Sequence, residues 1–187
     1  EKAKPVSLRM AEKADKGNGK SEMKERAANE SLAEYLANHA IGLVNDQRRN
    51  IAIVVNRIIT ARLVKQYLED RVGSKGLPRA DVHLAIGRMR PIDRDALTKT
   101  IQARVGKVSS GDESAAPMFV VATQCLEVGA DFDFDAMVSE CASLDALRQR
   151  FGRLNRRGRE INAQGVIVVR KDQEIDDDDP IYGKALS

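Results

Sequence analysis

Short apolar runs alternate along this chain with segments in which apolar residues recur at helical spacing. Residues 51–56, Ile-Ala-Ile-Val-Val-Asn, are apolar up to the last position, as in a strand buried on both faces of a sheet. Similar runs at 82–86, 118–122, 136–139 and 165–169 predict further strands. Because strands that alternate with helices form βαβ units, the pattern predicts an α/β fold with a parallel sheet and helices on both of its faces.

The helices between these strands are marked by apolar periodicity and by their ends. Before the first strand, apolar and aromatic residues recur at helical spacing from Leu32 to Leu43, and we expect His39 there to be half-buried without a functional role. A second helix follows the first strand, and a third begins at Pro91 and continues to about Val105. Residues 106–117, rich in Gly, Ser, Ala and charge, predict a long exposed loop.

The two ends of the chain differ from this pattern. Residues 1–30 are rich in charge and are expected to form a mobile or weakly helical lead-in. Residues 171–187 contain four consecutive aspartates at 176–179. Neighbours in a run cannot easily converge on one cation, so a solvated acidic tail is the better interpretation. The predicted domain therefore comprises residues 31–170.

The densest basic run is residues 149–159, which begins inside a predicted helix over 144–156. Ser143 is a suitable N-cap, and Gly158 is the expected stop. A helical projection places apolar side chains on one stripe and Gln149, Arg153 and Arg156 on the opposite one. Guanidinium groups are planar forks that match phosphate oxygens, and Gly152 leaves room for an approach beside Arg153.

Polar residues follow three of the predicted strands where those strands end. Asn56 closes the first strand, Arg88 follows the second, and Thr123 follows the third. In open parallel sheets, ligands bind at the carboxyl ends of the strands. Thr123 also begins the stretch Thr-Gln-Cys-Leu-Glu-Val-Gly-Ala-Asp, in which Gly129 allows a tight turn and Asp131 offers a carboxylate to sugar hydroxyls or to an arginine. The sequence therefore predicts a binding site at this edge.

Composition narrows the class of protein. The chain has 187 residues, of which 42% are hydrophobic and 32% charged, as in ordinary globular domains. Aromatic residues make up 4% and there is no Trp, which argues against platforms that stack bases. Cys125 and Cys141 lack metal-ligand spacing and are expected to be free thiols in a reducing, cytoplasmic compartment. No metal site is predicted, and no apolar run is long enough for a membrane span.

The two motifs resemble a known family when they are taken together. The stretch 123–131 and the stretch 149–158, Gln-Arg-Phe-Gly-Arg-Leu-Asn-Arg-Arg-Gly, are similar to motifs V and VI of the second RecA-like domain of superfamily 2 helicases. Their form most resembles the CRISPR-associated helicase-nuclease of type I systems. Residues 53–62 are similar to that family's motif IV region, and 87–94 to the segment after it. The resemblance covers about residues 50–169.

The resemblance implies a RecA-like helicase C-terminal domain that binds ATP. It places Gln149, Arg153 and Arg156 against ATP, with Arg153 and Arg156 stabilising charge on the transferring phosphoryl group. Gly129 and Asp131 would line the nucleotide cleft, together with Arg150, which the projection puts to the side of the other arginines.

It also implies a function in DNA unwinding. Asn56, Arg88 and Thr123 would contact the backbone of single-stranded DNA. The parent protein would be an ATP-dependent DNA helicase or translocase in type I CRISPR interference, recruited to DNA by a guide-RNA surveillance complex.

The chain lacks the residues that would complete an ATPase. There is no Gly-x-x-x-x-Gly-Lys-[Ser/Thr] phosphate loop, and the one Asp-Glu dipeptide, Asp112-Glu113, is in a predicted loop. ATP and Mg²⁺ would therefore be held by a first RecA-like domain of the same polypeptide, and we expect this chain alone to be inactive. The alternatives are another superfamily 2 helicase acting on RNA or DNA, and a non-enzymatic nucleic-acid-binding module; the carboxylate of Asp131 would be unwelcome against a phosphate backbone.

Overall fold

The computed structural model describes residues 4–11, 21–87, 90–105, 116–124 and 132–170. Within these ranges the chain forms six strands and four helices. In order they are β1 (Val6–Ala11), α1 (Ser21–Gly42), β2 (Asn50–Val54), α2 (Ile58–Arg71), β3 (Asp81–Ala85), α3 (Pro91–Val105), β4 (Met118–Ala122), β5 (Ala136–Glu140), α4 (Leu144–Phe151) and β6 (Gln164–Arg170).

The six strands form one parallel sheet in the order β1-β6-β5-β2-β4-β3. Every residue of β2, β4 and β5 is buried, as expected for strands covered on both faces. The five predicted strands are confirmed, with boundaries that differ from the prediction by at most two residues.

Side chains of the central strands point alternately to two helical layers. Ile51, Ile53 and Val55 pack in a core with α1 and α2. Ala52 and Val54 pack on the opposite side in a core that includes Ile101 of α3 and the segment after α4. The predicted helices on both faces of the sheet are therefore confirmed. None of the helices in the described part of the chain is long and apolar enough to cross a bilayer.

The edge strand β1 lies within the segment that was expected to be a lead-in. It pairs with β6 from Val6 opposite Gly165 to Ala11 opposite Arg170. Its large side chains Val6, Leu8 and Met10 are 44%, 55% and 52% exposed, so backbone pairing holds this strand more than burial does. Apolar residues alternate along β1, but they are not buried and charged residues flank them. This pattern is too weak to predict a strand from the sequence. α1 also begins at Ser21 rather than near residue 31.

α4 is shorter than the predicted helix over 144–156. It ends at Phe151, and Gly152 is its C-cap. Ser143 caps its start as predicted, accepting a hydrogen bond from the Ala146 amide at 3.5 Å. A side chain at Gly152 would lie 3.1 Å from the Arg148 carbonyl oxygen and 3.2 Å from that of Gln149, so the absence of a Cβ there relieves crowding within the turn. The prediction that Gly158 stops the helix is wrong; Gly158 lies in a later turn with φ of 64°.

Candidate functional site

The carboxyl ends of β2 and β4 lie side by side. The Val55 amide donates to the Ala122 carbonyl at 2.9 Å, and the Thr123 amide donates to the Ala85 carbonyl at 3.2 Å. Asn56 and Thr123 therefore follow neighbouring strands, with Thr123 8% exposed. Arg88, the third strand-end residue, lies outside the described residues.

Asn56 is held by three groups from other parts of the fold. Its backbone amide donates to Glu140 Oε2 at 2.7 Å, and its Nδ2 donates to the Cys141 carbonyl at 2.8 Å. Its Oδ1 accepts a hydrogen bond from an Arg150 guanidinium nitrogen at 3.0 Å. Both ends of the carboxamide are thus engaged by protein.

Arg150 lies in the interior, although the resemblance implied a position at the nucleotide. The residue is 1% exposed. Besides Asn56, its guanidinium donates to Ser139 Oγ at 3.1 Å and to the Glu140 carbonyl at 2.9 Å. A buried guanidinium needs acceptors, and the end of β5 and Asn56, two residues beyond the end of β2, supply them.

Glu140 is a buried carboxylate that sequence reasoning missed. It is the last residue of β5 and is 4% exposed. Burial raises the pKa of its carboxyl above the usual range, while the Asn56 amide and the charges of Arg170, Arg150 and Arg57 offset part of that rise. The sequence did contain a signal for Glu140, because this residue ends a buried parallel strand. In such sheets functional residues lie at the carboxyl ends of strands, and this holds for Glu140 as well as for Asn56.

The segment after α4, residues 152–159, is here called the arginine loop. Its middle is fixed to the chain before β5: the Phe134 amide donates to the Arg153 carbonyl at 2.9 Å, and the Asn155 amide donates to the Phe134 carbonyl at 2.8 Å. Leu154 between them is fully buried. Short-range turns complete the loop, with the Arg153 amide donating to the Arg150 carbonyl at 2.9 Å. The backbone that carries Arg153 is therefore anchored on two sides.

Two buried aspartates bind the end of the arginine loop. Arg159 donates through Nε to Asp133 Oδ2 at 2.8 Å and through a terminal nitrogen to Asp135 Oδ1 at 2.6 Å. Asp133 Oδ1 also accepts the Arg156 amide at 2.7 Å. We call Asp133, Asp135 and Arg159 the aspartate clasp. Burial alone would lower the pKa of the Arg159 guanidinium, but its hydrogen bonds and charge attraction to both carboxylates raise that pKa above the usual value.

Asn155 completes the turn within the loop. It has a φ of 40°, a left-handed conformation that asparagine tolerates better than most residues. Its Oδ1 accepts the Arg159 amide at 2.8 Å, and its Nδ2 donates to the Arg159 carbonyl at 3.1 Å. The loop is thus closed on itself as well as attached to the sheet.

The predicted trio of Gln149, Arg153 and Arg156 does not lie on one helical face. Gln149 is exposed on α4, whereas Arg153, half-buried, and Arg156, exposed, follow the end of the helix. The helical projection fails beyond Phe151 because the chain turns there. Gly129 and Asp131 lie outside the described residues, as does Cys125.

The remaining chemistry of the described residues is limited. Among them, no group of three or more His, Cys, Asp or Glu side chains is placed to hold a metal ion. Cys141 is a buried free thiol, and burial raises its pKa above the ordinary value. The anchored arginine loop and the strand ends therefore carry the candidate site.

Comparison with known proteins identifies the family. Residues 47–159, more than half of the chain, match the family model for the C-terminal part of the CRISPR-associated nuclease/helicase Cas3. A CRISPR-associated nuclease/helicase Cas3 from Methanothermobacter thermautotrophicus is 30% identical over 115 residues, which are 61% of this chain and 12% of that protein. A putative Cas3 from Methanocaldococcus jannaschii is 45% identical over 49 residues, which are 26% of this chain and 7% of that protein. The chain thus spans a small part of the length of these relatives.

Solved structures share the fold. The crystal structure of T. fusca Cas3 with ATP superposes with a TM-score of 0.68 at 24% identity, over 92% of this chain and 19% of that one. Domain 2 of the DEAD-box helicase Mss116p, solved bound to an RNA duplex, gives a TM-score of 0.54 at 17% identity, over 91% of this chain and 56% of that one. The sheet is therefore RecA-like, and the chain belongs to the Cas3 C-terminal helicase family as a C-terminal lobe of a superfamily 2 helicase.

Proposed function

We propose that this chain is the second RecA-like lobe of an ATP-dependent DNA helicase or translocase in type I CRISPR interference. In this proposal it supplies arginines to ATP and part of the track for single-stranded DNA. ATP and Mg²⁺ are held mainly by a first RecA-like lobe of the same polypeptide. The chain covers 19% of the T. fusca Cas3 chain, so the activity belongs to a larger protein.

The observation that carries the proposal is the anchoring of the arginine loop. Arg153 and Arg156 flank a buried Leu154 and a hydrogen-bonded Asn155, so the backbone beneath both arginines is fixed. A solvated basic surface needs no such support. Groups that must meet a charge developing elsewhere gain from being held before the reaction, because they then need no reorganisation. The guanidinium groups of Arg153 and Arg156 therefore fit the phosphates of a nucleotide presented by another domain.

Each residue has a stated part in this proposal. ATP supplies the phosphoryl group whose transfer to water drives movement. Arg153 and Arg156 bind its oxygens and stabilise the charge that spreads over them. Gln149, exposed on α4, donates or accepts a hydrogen bond at the same site. Gly129 and Asp131 line the cleft by the family resemblance.

The nucleic-acid part of the proposal rests on the strand ends. Asn56 and Thr123 follow the neighbouring strands β2 and β4, and Arg88 follows β3 in the sequence. This edge would face the phosphodiester backbone of single-stranded DNA. A guide-RNA surveillance complex is the proposed recruiting partner, because a solved complex described as a CRISPR RNA-guided surveillance complex contains a chain of the same fold, with a TM-score of 0.59 at 22% identity.

The test is a pair of lysine substitutions in the full-length parent. Arg153→Lys and Arg156→Lys keep the charge but lose the planar fork, so we expect kcat for DNA-stimulated ATP hydrolysis to fall steeply with nucleotide affinity only modestly changed. Arginine fingers contribute about 10³–10⁵-fold to turnover, and lysine should lose a substantial part of that. The measurements are steady-state ATPase kinetics and equilibrium nucleotide binding.

Arg148→Lys is the matched control, because Arg148 is exposed on the same helix and belongs to neither predicted site. We expect it to be nearly silent. Equal, small effects at Arg148, Arg153 and Arg156 would mean that the loop is only a basic surface, and a non-enzymatic binding module would then be the better assignment.

A further inference from the structure

We infer that Arg150 and Asn56, assigned by their motifs to nucleotide and DNA, are instead positioning residues that link the two parts of the site. With Glu140 they form a group that we call the buried joint. The inference rests on the proposed function, because the parts it links are the arginine loop and the DNA-facing strand ends.

The first step is the burial of Arg150. The residue is 1% exposed, and its guanidinium reaches two structural elements at once. One terminal nitrogen donates to Ser139 Oγ and the Glu140 carbonyl of β5, and the other donates to Asn56 Oδ1 beyond the end of β2. A side chain enclosed in this way presents almost no surface to a ligand. Its fork instead fixes α4 relative to two strands.

The second step is the way Asn56 is held. Glu140 Oε2 accepts its backbone amide, and its Nδ2 donates to the Cys141 carbonyl, while Oδ1 faces Arg150. The carboxamide is therefore oriented by partners at both ends. Asn56 stands two residues before α2 begins at Ile58, so the direction in which the chain leaves the sheet is set by these contacts.

The third step is the connection from Arg150 to the catalytic arginines. The Arg150 carbonyl accepts the Arg153 amide at 2.9 Å, and this bond starts the arginine loop. One residue thus contacts the exit of β2 through its side chain and the arginine loop through its backbone. A shift of the β2 exit on binding DNA would be transmitted to Arg153 through a chain of direct contacts. The joint therefore offers a physical route between the two sites.

The alternative assignment makes a different prediction. If Arg150 contacted nucleotide and Asn56 contacted DNA directly, removing each side chain would weaken its own ligand and the two effects would multiply. If the two residues act as a joint, removing either one breaks the same link. The fold losses of the two single variants would then not multiply in the double variant. A double-mutant cycle separates these outcomes.

The experiment uses the full-length parent with Arg150→Met, Asn56→Leu and the double variant. ATP turnover is measured against concentrations of a single-stranded oligonucleotide and of ATP. We expect each single variant to lose turnover and to need about tenfold or more DNA for half-maximal stimulation, because small misplacements of reacting groups are costly. The KM for ATP should change little. The double variant should be no worse than the more impaired single variant.

Controls separate this proposal from a loss of folding and from failure of the proposed function. Arg148→Met, on the exposed side of α4, should behave as wild type. Thermal unfolding of every variant shows which ones are folded. If Arg150→Met is not folded, Arg150→Lys replaces it in the cycle. Lysine keeps the charge but cannot reach acceptors on β5 and beyond β2 together, so the same DNA-dependent defect is expected.

Three outcomes would overturn the joint. They are effects that multiply in the double variant, a defect confined to the KM for ATP at Arg150, and equal behaviour of Arg148 and Arg150 variants. If Arg153→Lys cripples turnover while the cycle is multiplicative, only the joint is wrong. If Arg153→Lys is itself silent, the proposed function is wrong.

Discussion

Arg159 joins the end of the arginine loop to the chain before β5. It forms ion pairs with both Asp133 and Asp135, whose side chains are 1% and 0% exposed. Removing one partner of a buried ion pair leaves an uncompensated charge, and here it leaves two carboxylates. Arg159→Met should therefore lower the free energy of unfolding by about 3–5 kcal/mol. Urea unfolding of this chain measures the change.

Arg148→Met is the comparison for that prediction, because Arg148 is exposed on α4, the helix that precedes the loop. A change within about 0.5 kcal/mol is expected there, as for surface positions in general. If Arg159→Met were equally mild, the aspartate clasp would not stabilise the loop, and Arg153 and Arg156 would not be held in advance by it.

The sequence predicts the ends of strands better than it predicts which side chains contact the residues at those ends. Asn56 and Thr123 were found because each follows an apolar run. Glu140 and Arg150 were not recognised as the partners of Asn56, which are 84 and 94 residues away along the chain. Local pattern contains no information on which distant side chain meets a given carboxamide; that follows from the strand order.

In α4 the helical spacing of apolar residues continues beyond the end of the helix. Leu144, Leu147, Phe151 and Leu154 keep helical spacing, yet the helix ends at Phe151. Leu154 is buried by pairing with Phe134 rather than by continuing the helical stripe. Apolar spacing indicates that a residue faces the core. A tight turn can bury such a residue as well as a helix does.

The contact between α4 and β6 gives a prediction about packing. A Cβ added to Gly165 would lie 2.6 Å from Phe151 Cε1 and 3.1 Å from Val6 Cγ2, so a larger residue at this meeting of β6, α4 and β1 requires a neighbouring side chain to move. Gly165→Ala should destabilise the chain by about 1–3 kcal/mol, the usual cost of overpacking. The midpoint of chemical unfolding is the measurement.

Gly42→Ala is the matched control for overpacking. Gly42 ends α1, and apart from its own chain neighbours and helix backbone no atom lies within 4 Å of the position of an added Cβ. Alanine is the better helix former by about 0.5–1 kcal/mol, so this variant should be neutral or slightly stabilising. A Gly165→Ala variant as stable as Gly42→Ala would show that Phe151 can move aside and that the close approach imposes no constraint.

For the whole molecule, the α/β architecture was predictable because β2, β4 and β5 are buried on both faces and each reads as a continuous apolar run. The edge strand β1 has no such run, and it was missed. The family was predictable because motifs V and VI are specific in combination. The geometry of the site was not, since it depends on contacts between the arginine loop, the residues before β5 and the end of β2.

The last prediction concerns the activity of this chain by itself. The sequence has no Gly-x-x-x-x-Gly-Lys-[Ser/Thr] motif, and in the proposed function Arg153 and Arg156 stabilise a transferring phosphoryl group only when other residues hold the nucleotide and its metal. The purified chain should therefore show no ATP turnover above that of its Arg153→Lys variant, with or without single-stranded DNA. Joining it to the first RecA-like lobe in one polypeptide should produce turnover that Arg153→Lys abolishes. The paired variant separates true activity from a contaminating ATPase, because a contaminant is indifferent to Arg153. Steady hydrolysis by the chain alone that disappears in Arg153→Lys would mean that this lobe contains a complete site, and its assignment as one half of a motor would be wrong.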